Sequence, residues 1–348
     1  MRPTTLCRIP RALVLALLCS LIASPAAQGA SYHLVLCGSG GEAEYTETFR
    51  DWGTRLRDAL VMRLGVPADN VALLTEAETD NAPPLTTTNL ESIRAAFAAI
   101  SEFVTPGDDV FIYFIGHGSY LKNTSKFHIP GLDLTAAELD ALLKALPARR
   151  AIVLNGTSSS AAFINVLSAE DRVICAATKS VSEVNATEFM GFFIEGLEDG
   201  SADRNHDDRI SFLEACEQAS ELTASWYERE GLLATEHAIL DDNGDGLGSR
   251  LPIEAFGLTA EEDTGDTELL DGALARTCYI KDYRFHPNVP RELIDTYLSA
   301  LEEVASLKDE KLQLAQDAYF ARLEELLLKA ARANREIRSF DALPDADS

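Results

Sequence analysis

The sequence has few cysteines and few basic residues for a chain of 348. Its six cysteines form no CxxC pair, which argues against a zinc ribbon and against a disulfide-dense scaffold. Thirty Lys and Arg residues stand against 56 Asp and Glu, giving a formal charge of −26. So acidic a surface repels nucleic acid and anionic membranes, and neither is expected as a partner.

Long apolar runs are also scarce, and the one present lies at the start of the chain. Arg2, Arg8 and Arg11 precede an apolar run over residues 12–24, which small residues follow. That order is typical of a secretory signal peptide, predicted here over residues 1–29. An uncut membrane anchor is the alternative, although the run is short for a bilayer span. We expect a secreted or periplasmic protein with no stable membrane span after signal cleavage.

What the sequence does have is an alternation of short apolar runs with helical patterns. Continuous apolar strands are expected where both faces of a sheet are covered. Strand and helix in repetition indicate a three-layer α/β fold with a mostly parallel sheet. Helix caps are predicted at Thr88 or Asn89 and at Asp133 or Thr135. Five strands are predicted, within residues 32–38, 71–76, 108–118, 149–156 and 171–178.

The pattern changes after about residue 200, so the main α/β domain is expected over residues 30–254. Residues 255–290 are predicted to form an irregular acidic linker. Residues 291–340 contain apolar residues at helical spacing and almost no helix breakers, which predicts an α-helical extension. A short disordered tail is expected over residues 341–348.

One predicted strand ends in a histidine between two glycines, in "FIYFIGHGSY". Ligand and catalytic sites of open α/β sheets lie at the carboxyl ends of strands, where His117 falls. Gly116 and Gly118 allow a sharp turn that exposes the imidazole. The next strand ends in "AIVLNGTSSSAAF", so the hydroxyls of residues 157–160 are expected beside His117. A structural histidine and a serine-rich helix cap are the alternatives.

These two strand ends resemble the caspase–hemoglobinase fold of clan CD cysteine peptidases, and especially its legumain-like C13 branch. In that clan one strand ends in His-Gly and the following one in Cys-x-Ser-Gly. The resemblance places His117 at the family histidine, Ser158 at the nucleophilic cysteine and Ser160 at the family serine. It implies a peptidase-type site for a peptide or protein, with oxyanion-binding N–H groups near Gly118 or Ser158.

This sequence departs from the family at the nucleophile, because a serine stands where the cysteine belongs. A serine hydroxyl is a far weaker nucleophile than a thiol and needs a well-placed base. One interpretation is a hydrolase with Ser158 as nucleophile, His117 as base and Gly118 in the oxyanion hole. The other is an inactive pseudopeptidase, a calcium-stabilised peptide- or protein-binding module of the cell envelope.

Two acidic stretches suggest a cation, and calcium is the only cofactor expected, with no organic cofactor. "DRNHDDRISFLE" matches a calcium-binding EF-hand loop, except for Asp208 where glycine is usual. A solvated acidic turn is the alternative. Its predicted ligands are Asp203, Asn205, Asp207, Arg209 through its carbonyl, and Glu214.

The second stretch, "DDNGDGLGS", matches only the first half of such a loop. Asp241, Asn243, Asp245 and Gly246 fit the pattern, but Pro252 falls at the twelfth position, where a glutamate is needed. A partial cation site and a simple Asn-Gly, Asp-Gly turn are both compatible with this stretch. Glu236 and His237 lie just before it and are candidates to line the cleft, with a structural role favoured for His237.

Overall fold

The computed structural model describes residues 29–76, 86–253, 271–282, 285, 288–309, 311 and 314–340. The predicted tail, nearly all of the signal peptide and much of the acidic linker lie outside these residues. The chain divides into two compact units. The first holds the described parts of residues 1–204 and 210–280, and the second those of 205–209 and 281–348.

The described strands are short, and four of the eight in the main sheet are buried along their whole length. In chain order the described strands are β1 (Ser31–Cys37), β2 (Val71–Thr75), β3 (Thr86–Thr87), β4 (Asp109–Ile115), β5 (Gly118–Leu121), β6 (Thr124–Phe127), β7 (Leu134–Thr135), β8 (Arg150–Asn155), β9 (Arg172–Ala176), β10 (Ile210–Ser211), β11 (Ile239–Asp241), β12 (Ser249–Arg250) and β13 (Tyr279–Lys281).

An α-helix lies between each consecutive pair of the main parallel strands β1, β2, β4, β8 and β9, as the sequence predicts. The described α-helices are α1 (Ala43–Asp58), α2 (Leu90–Phe103), α3 (Ala136–Ala145), α4 (Ala161–Leu167), α5 (Phe189–Asp199), α6 (Phe212–Glu230), α7 (Arg291–Asp309) and α8 (Gln316–Arg338). Within the described ranges, no helix combines the length and apolar character needed to cross a bilayer.

The main sheet has the order β12-β11-β9-β8-β4-β1-β2-β3. Its pairings from β3 through to β9 are parallel, whereas β11 pairs antiparallel with both β9 and β12. The carboxyl ends of β4 and β8 therefore lie side by side at one edge of the sheet. The predicted three-layer, mostly parallel α/β fold is confirmed.

Each strand sends alternate side chains to opposite faces of the sheet, and each face has its own apolar core. In β1, Val35 and Cys37 join the core beneath α1 and α5, while Leu34 and Leu36 join the core on the opposite face. Helices cover both faces, which explains why the strands have continuous rather than alternating apolar sequences.

The predicted helix caps are confirmed at one residue of each pair. The Asn89 side chain accepts a hydrogen bond from the Ser92 N–H at 2.9 Å. Thr135 forms a capping box with Glu138, in which each side chain bonds the other residue's backbone N–H. These bonds satisfy amide groups that a helix start leaves without partners.

In the second unit, α7 and α8 pack against each other. Tyr297, Ala300, Ala330 and Ala333 belong to one buried cluster, and Leu307 and Leu326 belong to another. The amphipathic face that the sequence places on these helices is therefore used within the helical pair itself.

Candidate active site at the carboxyl ends of β4 and β8

His117 leaves the sheet just beyond β4, as the glycine pattern predicts. Every residue of β4 is buried, whereas His117 is half-buried. The intervening Gly116 has a positive φ of 154°. A Cβ atom there would lie 3.0 Å from the Phe127 ring and 3.3 Å from the Gly38 backbone. Glycine is therefore required where the chain turns the imidazole out of the core.

Two aromatic rings hold the His117 imidazole from one side. The ring centroids of Tyr45 and Phe49 lie 4.7 and 5.0 Å from that of His117, both in edge-on geometry. Burial lowers the pKa of His117, the nearby His128 lowers it further, and a backbone hydrogen bond with Gly40 opposes them in part. The imidazole is therefore held neutral at neutral pH, the form that accepts a proton.

Ser158 lies in the turn after β8, and the neighbouring strand ends bring it to Gly118. The Ser158 Oγ donates to the Gly118 carbonyl at 3.1 Å and accepts from the Gly118 N–H at 3.2 Å. A Cβ on Gly118 would lie 2.6 Å from the Ser158 carbonyl oxygen, so this close approach requires glycine. Ser158 is only 3% exposed.

The fold thus brings His117, Gly118 and Ser158 together, but it does not pair the serine with the histidine. Among the described residues, no hydrogen bond joins Ser158 to His117. The serine proton is directed to a carbonyl oxygen, which is not a general base. The Gly118 N–H, which the sequence places in the oxyanion hole, is occupied by the serine itself.

The two serines after Ser158 anchor the turn. Ser159 has a φ of 52°, in the left-handed region, and its hydroxyl donates to the Val181 carbonyl at 3.1 Å. Ser160 and Thr178 exchange hydroxyl contacts at 3.0 Å. Ser160 precedes α4, but its side chain makes no capping hydrogen bond. The helix-cap interpretation of this serine run is therefore wrong, and these hydroxyls join the turn to the segment after β9.

The structure adds a serine–histidine pair that the sequence analysis missed. Ser119 Oγ lies 2.8 Å from His128 Nε2, and both side chains are partly exposed. The pair depends on the β5–β6 hairpin, whose turn residues Lys122 and Asn123 have φ values of 51° and 59°. Asparagine is a recognised signal for that conformation but lysine is not. The sequence therefore signals this hairpin at only one of its two turn residues.

The predicted EF-hand-like residues adopt part of the expected loop conformation. Asp208 has a φ of 67°, the left-handed conformation that glycine usually supplies at that position. The Asp207 carboxylate accepts the Arg209 N–H at 2.8 Å. Glu214 accepts both the N–H and the hydroxyl of Ser211, in a capping box at the start of α6. Calcium binding by Asp203, Asn205, Asp207, Arg209 and Glu214 stays a prediction.

Within the described part of the chain, no group of three or more His, Cys, Asp and Glu side chains is arranged to hold a metal ion. The four cysteines beyond the signal segment are free and buried: Cys37, Cys175, Cys216 and Cys278. Burial raises the pKa of both Cys37 and Cys278 to about 12, which makes these thiols inert at neutral pH.

Glu236 and His237 line a different cavity from the one expected. The cavity has a volume of about 800 Å³, and neither His117 nor Ser158 is among its described lining residues. Glu236 accepts the N–H groups of Glu188 and Phe189 at the start of α5, and burial raises its pKa to about 7. His237 Nδ1 lies 2.6 Å from a Glu183 carboxylate oxygen. Both side chains are therefore engaged in structural contacts.

Three solved structures are similar to this chain. The Drosophila initiator caspase Dronc is 12% identical, with a TM-score of 0.42 over 64% of this chain and 82% of its own. A protein from Geobacter sulfurreducens is 12% identical, with a TM-score of 0.39 over 61% and 92%. A secreted C11 cysteine protease from Bacteroides thetaiotaomicron, solved with an irreversible peptide inhibitor, is 11% identical, with a TM-score of 0.36 over 61% and 66%.

These likenesses concern the fold alone. Two of the three proteins are peptidases of the caspase-like kind that the sequence resembles. The legumain-like branch is not among the three and stays a prediction. No protein-family model matches the chain, and no curated protein matches it. The chemistry of the site must therefore be argued from the residues of this chain.

Proposed function

We propose that this chain is a peptidase-fold homologue that binds a peptide or protein segment at the His117–Ser158 edge of its sheet without hydrolysing it. One observation carries the proposal, namely that the Ser158 hydroxyl bonds in both directions to the Gly118 backbone. A hydroxyl so engaged, and 3% exposed, has no base to take its proton. The strand ends, their glycines and His117 then form a binding surface without a catalytic nucleophile.

The groups around His117 suit a bound peptide. Tyr45 is half-buried against the imidazole, and tyrosine offers both an apolar face and a polar end to a ligand. The neutral imidazole of His117 and the hydroxyl of Ser119 provide hydrogen-bonding groups at the same edge. Peptide recognition commonly combines such aromatic contacts with a few placed polar groups.

Hydrolysis is the second candidate, and two observations favour it. The lowered pKa of His117 keeps its imidazole available as a base. The Ser119–His128 pair also has the separation expected of a serine nucleophile and its base. In either case the serine proton would pass to the histidine as the oxygen attacks a carbonyl carbon, and backbone N–H groups would stabilise the resulting oxyanion.

A fluorophosphonate probe separates these functions, because it labels only activated serines. The purified protein is treated with calcium present, and no labelling is expected. Labelling that is lost in both Ser158→Ala and His117→Ala would establish hydrolysis at the predicted site. Labelling that is lost in both Ser119→Ala and His128→Ala would assign it to the second pair. Either result overturns the non-hydrolytic proposal.

Binding is tested with peptides selected from a random display library on the wild-type protein. Tyr45→Ala should reduce their affinity by about tenfold, the loss of one aromatic contact. Phe103→Ala is the matched control, since Phe103 is 67% exposed at the end of α2, just before the chain enters β4. Equal binding by the wild type and Tyr45→Ala would place the peptide elsewhere.

We also propose that the protein is exported, on the basis of the signal-like segment at residues 1–29. N-terminal sequencing of the protein recovered from an expressing cell should begin near Ala27 or Ala30. A chain that keeps residues 1–26 would contradict cleavage.

A further inference from the structure

The acidic turn between β11 and β12 is shaped by hydrogen bonds from its own backbone N–H groups to its side-chain oxygens. Asp241 Oδ1 accepts the Gly244 N–H at 3.2 Å, and Asn243 Oδ1 accepts the Asp245 N–H at 2.9 Å. Asp245 Oδ1 accepts the Leu247 N–H at 2.7 Å. Every second residue from Asp241 to Asp245 thus directs a side-chain oxygen back onto the turn.

One oxygen in this turn has no partner. Asp241 is only 1% exposed, and its Oδ2 has no hydrogen-bond donor among the described residues. The Ser168 hydroxyl favours the charged form of this carboxylate, but it does not reach Oδ2 with hydrogen-bond geometry. A buried carboxylate oxygen without a donor is strongly unfavourable unless a ligand completes it.

The neighbouring carboxylates of Asp242 and Asp271, unlike that of Asp241, accept several hydrogen bonds each. Asp242 accepts the N–H groups of Gly272 and Ala275 at 2.8 and 2.7 Å. Asp271 accepts the N–H of Asp242 and both the N–H and the hydroxyl of Ser249. Among the described residues, Asp241 Oδ2 is the carboxylate oxygen of this group that is buried without a hydrogen-bond partner.

The turn and its surroundings also carry four aspartates. In the part of the chain that the structure describes, none of Asp241, Asp242, Asp245 and Asp271 forms an ion pair with a basic residue. Burial raises the pKa of Asp241, and the charges of Asp271 and Asp245 raise it further. A bound cation would reverse both effects.

The turn is held in place by the end of α4. Asn165 Nδ2 donates to the Gly246 carbonyl at 3.0 Å, and the Gly246 N–H donates to Ser168 Oγ at 3.0 Å. Gly244 has a φ of 82°, and a Cβ there would lie 3.3 Å from the backbone at the Ala169–Glu170 peptide bond. The turn is therefore anchored on one side, which reduces the ordering that ligand binding requires.

We propose that the turn from Asp241 to Leu247 binds one Ca²⁺ ion through Asp241 Oδ2, Asn243 Oδ1, the Asp245 carboxylate and the Leu247 carbonyl. Ca²⁺ fits because the donors are all oxygen and their number is small enough for water to complete the shell. Pro252 supplies no twelfth-position ligand, so we expect a Kd of about 10⁻⁴–10⁻³ M. This site is independent of any chemistry at Ser158.

Calorimetric titration of the purified protein with CaCl₂ tests the site, together with thermal melts in CaCl₂ and in EDTA. Wild-type protein should bind Ca²⁺ and melt a few degrees higher in CaCl₂. Asp245→Asn and Asp241→Asn should each raise the Kd by about tenfold or more and abolish the shift in melting temperature. Asp245 is exposed, so its variant should fold even where Asp241→Asn does not.

Two controls separate this site from its alternatives. Glu170→Gln removes an exposed charge beside the turn without removing a ligand, and should leave the Kd unchanged. Asp207→Asn removes a predicted ligand of the EF-hand-like loop and should leave this binding event in place. No binding by the wild type overturns the inference. So does binding that survives Asp245→Asn, or binding lost only in Asp207→Asn.

Discussion

The turns after β8 and β11 follow strands of the same sheet, yet they differ in whether their polar side chains have hydrogen-bond partners. After β8 the hydroxyls of Ser158, Ser159 and Ser160 all end on other protein groups. At the end of β11, one buried carboxylate oxygen of Asp241 has no hydrogen-bond partner among the described residues. The side-chain hydroxyls of the first turn all have partners within the protein, whereas the second turn leaves one carboxylate oxygen for the proposed Ca²⁺ ion. The predicted nucleophile Ser158 therefore has its hydrogen bonds satisfied within the protein, whereas Asp241 does not.

The largest expected effect concerns Glu236, the buried carboxylate that precedes β11. Its pKa rises from 4.5 in the unfolded chain to about 7 in the folded protein. Protonated Glu236 therefore stabilises the folded protein, by about 3 kcal/mol below pH 4.5. This stabilisation is lost as pH rises through about 7. Burial lowers the pKa of His33 to about 3, so its contribution to stability rises over much of the same pH range. The Glu236 effect is therefore measured as the difference in the free energy of unfolding between the wild type and Glu236→Gln, by urea denaturation in EDTA between pH 4.5 and 8.

The wild type should therefore lose its stability advantage over Glu236→Gln as pH rises, whereas the difference between the wild type and the exposed Glu170→Gln should stay level. A difference between the wild type and Glu236→Gln that does not change across this range would show that protonation of Glu236 does not contribute to stability. The contrast between the two turns would then lose its electrostatic basis.

The next effect compares the two turns directly. Ser158→Ala removes both bonds to Gly118 and should lower the free energy of unfolding by about 1–2 kcal/mol. Asp241→Asn, measured in EDTA, should leave stability unchanged or raise it, because it removes an uncompensated charge. Urea denaturation at pH 7 measures both. A larger loss for Asp241→Asn in EDTA than for Ser158→Ala would reverse the comparison.

The smallest expected changes in stability come from substitutions at two residues with left-handed backbone conformation, one in each turn. Ser159→Gly relieves a left-handed serine but loses the bond to Val181, so the change should stay within about 0.5 kcal/mol. Gly244→Ala places a Cβ in the left-handed region and against the Ala169–Glu170 backbone, and should cost about 1 kcal/mol. Thermal melts in EDTA measure both, and a destabilising Ser159→Gly would show that its hydroxyl matters more than its strain.

Much of the fold could be predicted because it depends on residues close together in sequence. The apolar runs of β1, β4 and β8 and the caps at Asn89 and Thr135 are local signals, and the structure has them where the sequence places them. The same holds for His117, whose position follows from one strand and its flanking glycines. The short strands β11, β12 and β13 were missed, because two or three residues are too few to show a period.

The sequence by itself determined a layered α/β sheet that carries His117 and Ser158 to one edge, since periodicity and parallel topology suffice for that. Only the tertiary structure decided what those side chains bond to. The Ser158 hydroxyl bonds to Gly118, a residue 40 positions away, and Asp241 Oδ2 has no donor within the ranges that the structure describes. Hydrogen bonding acts over about 3 Å, so partner choice depends on packing details that no local pattern records.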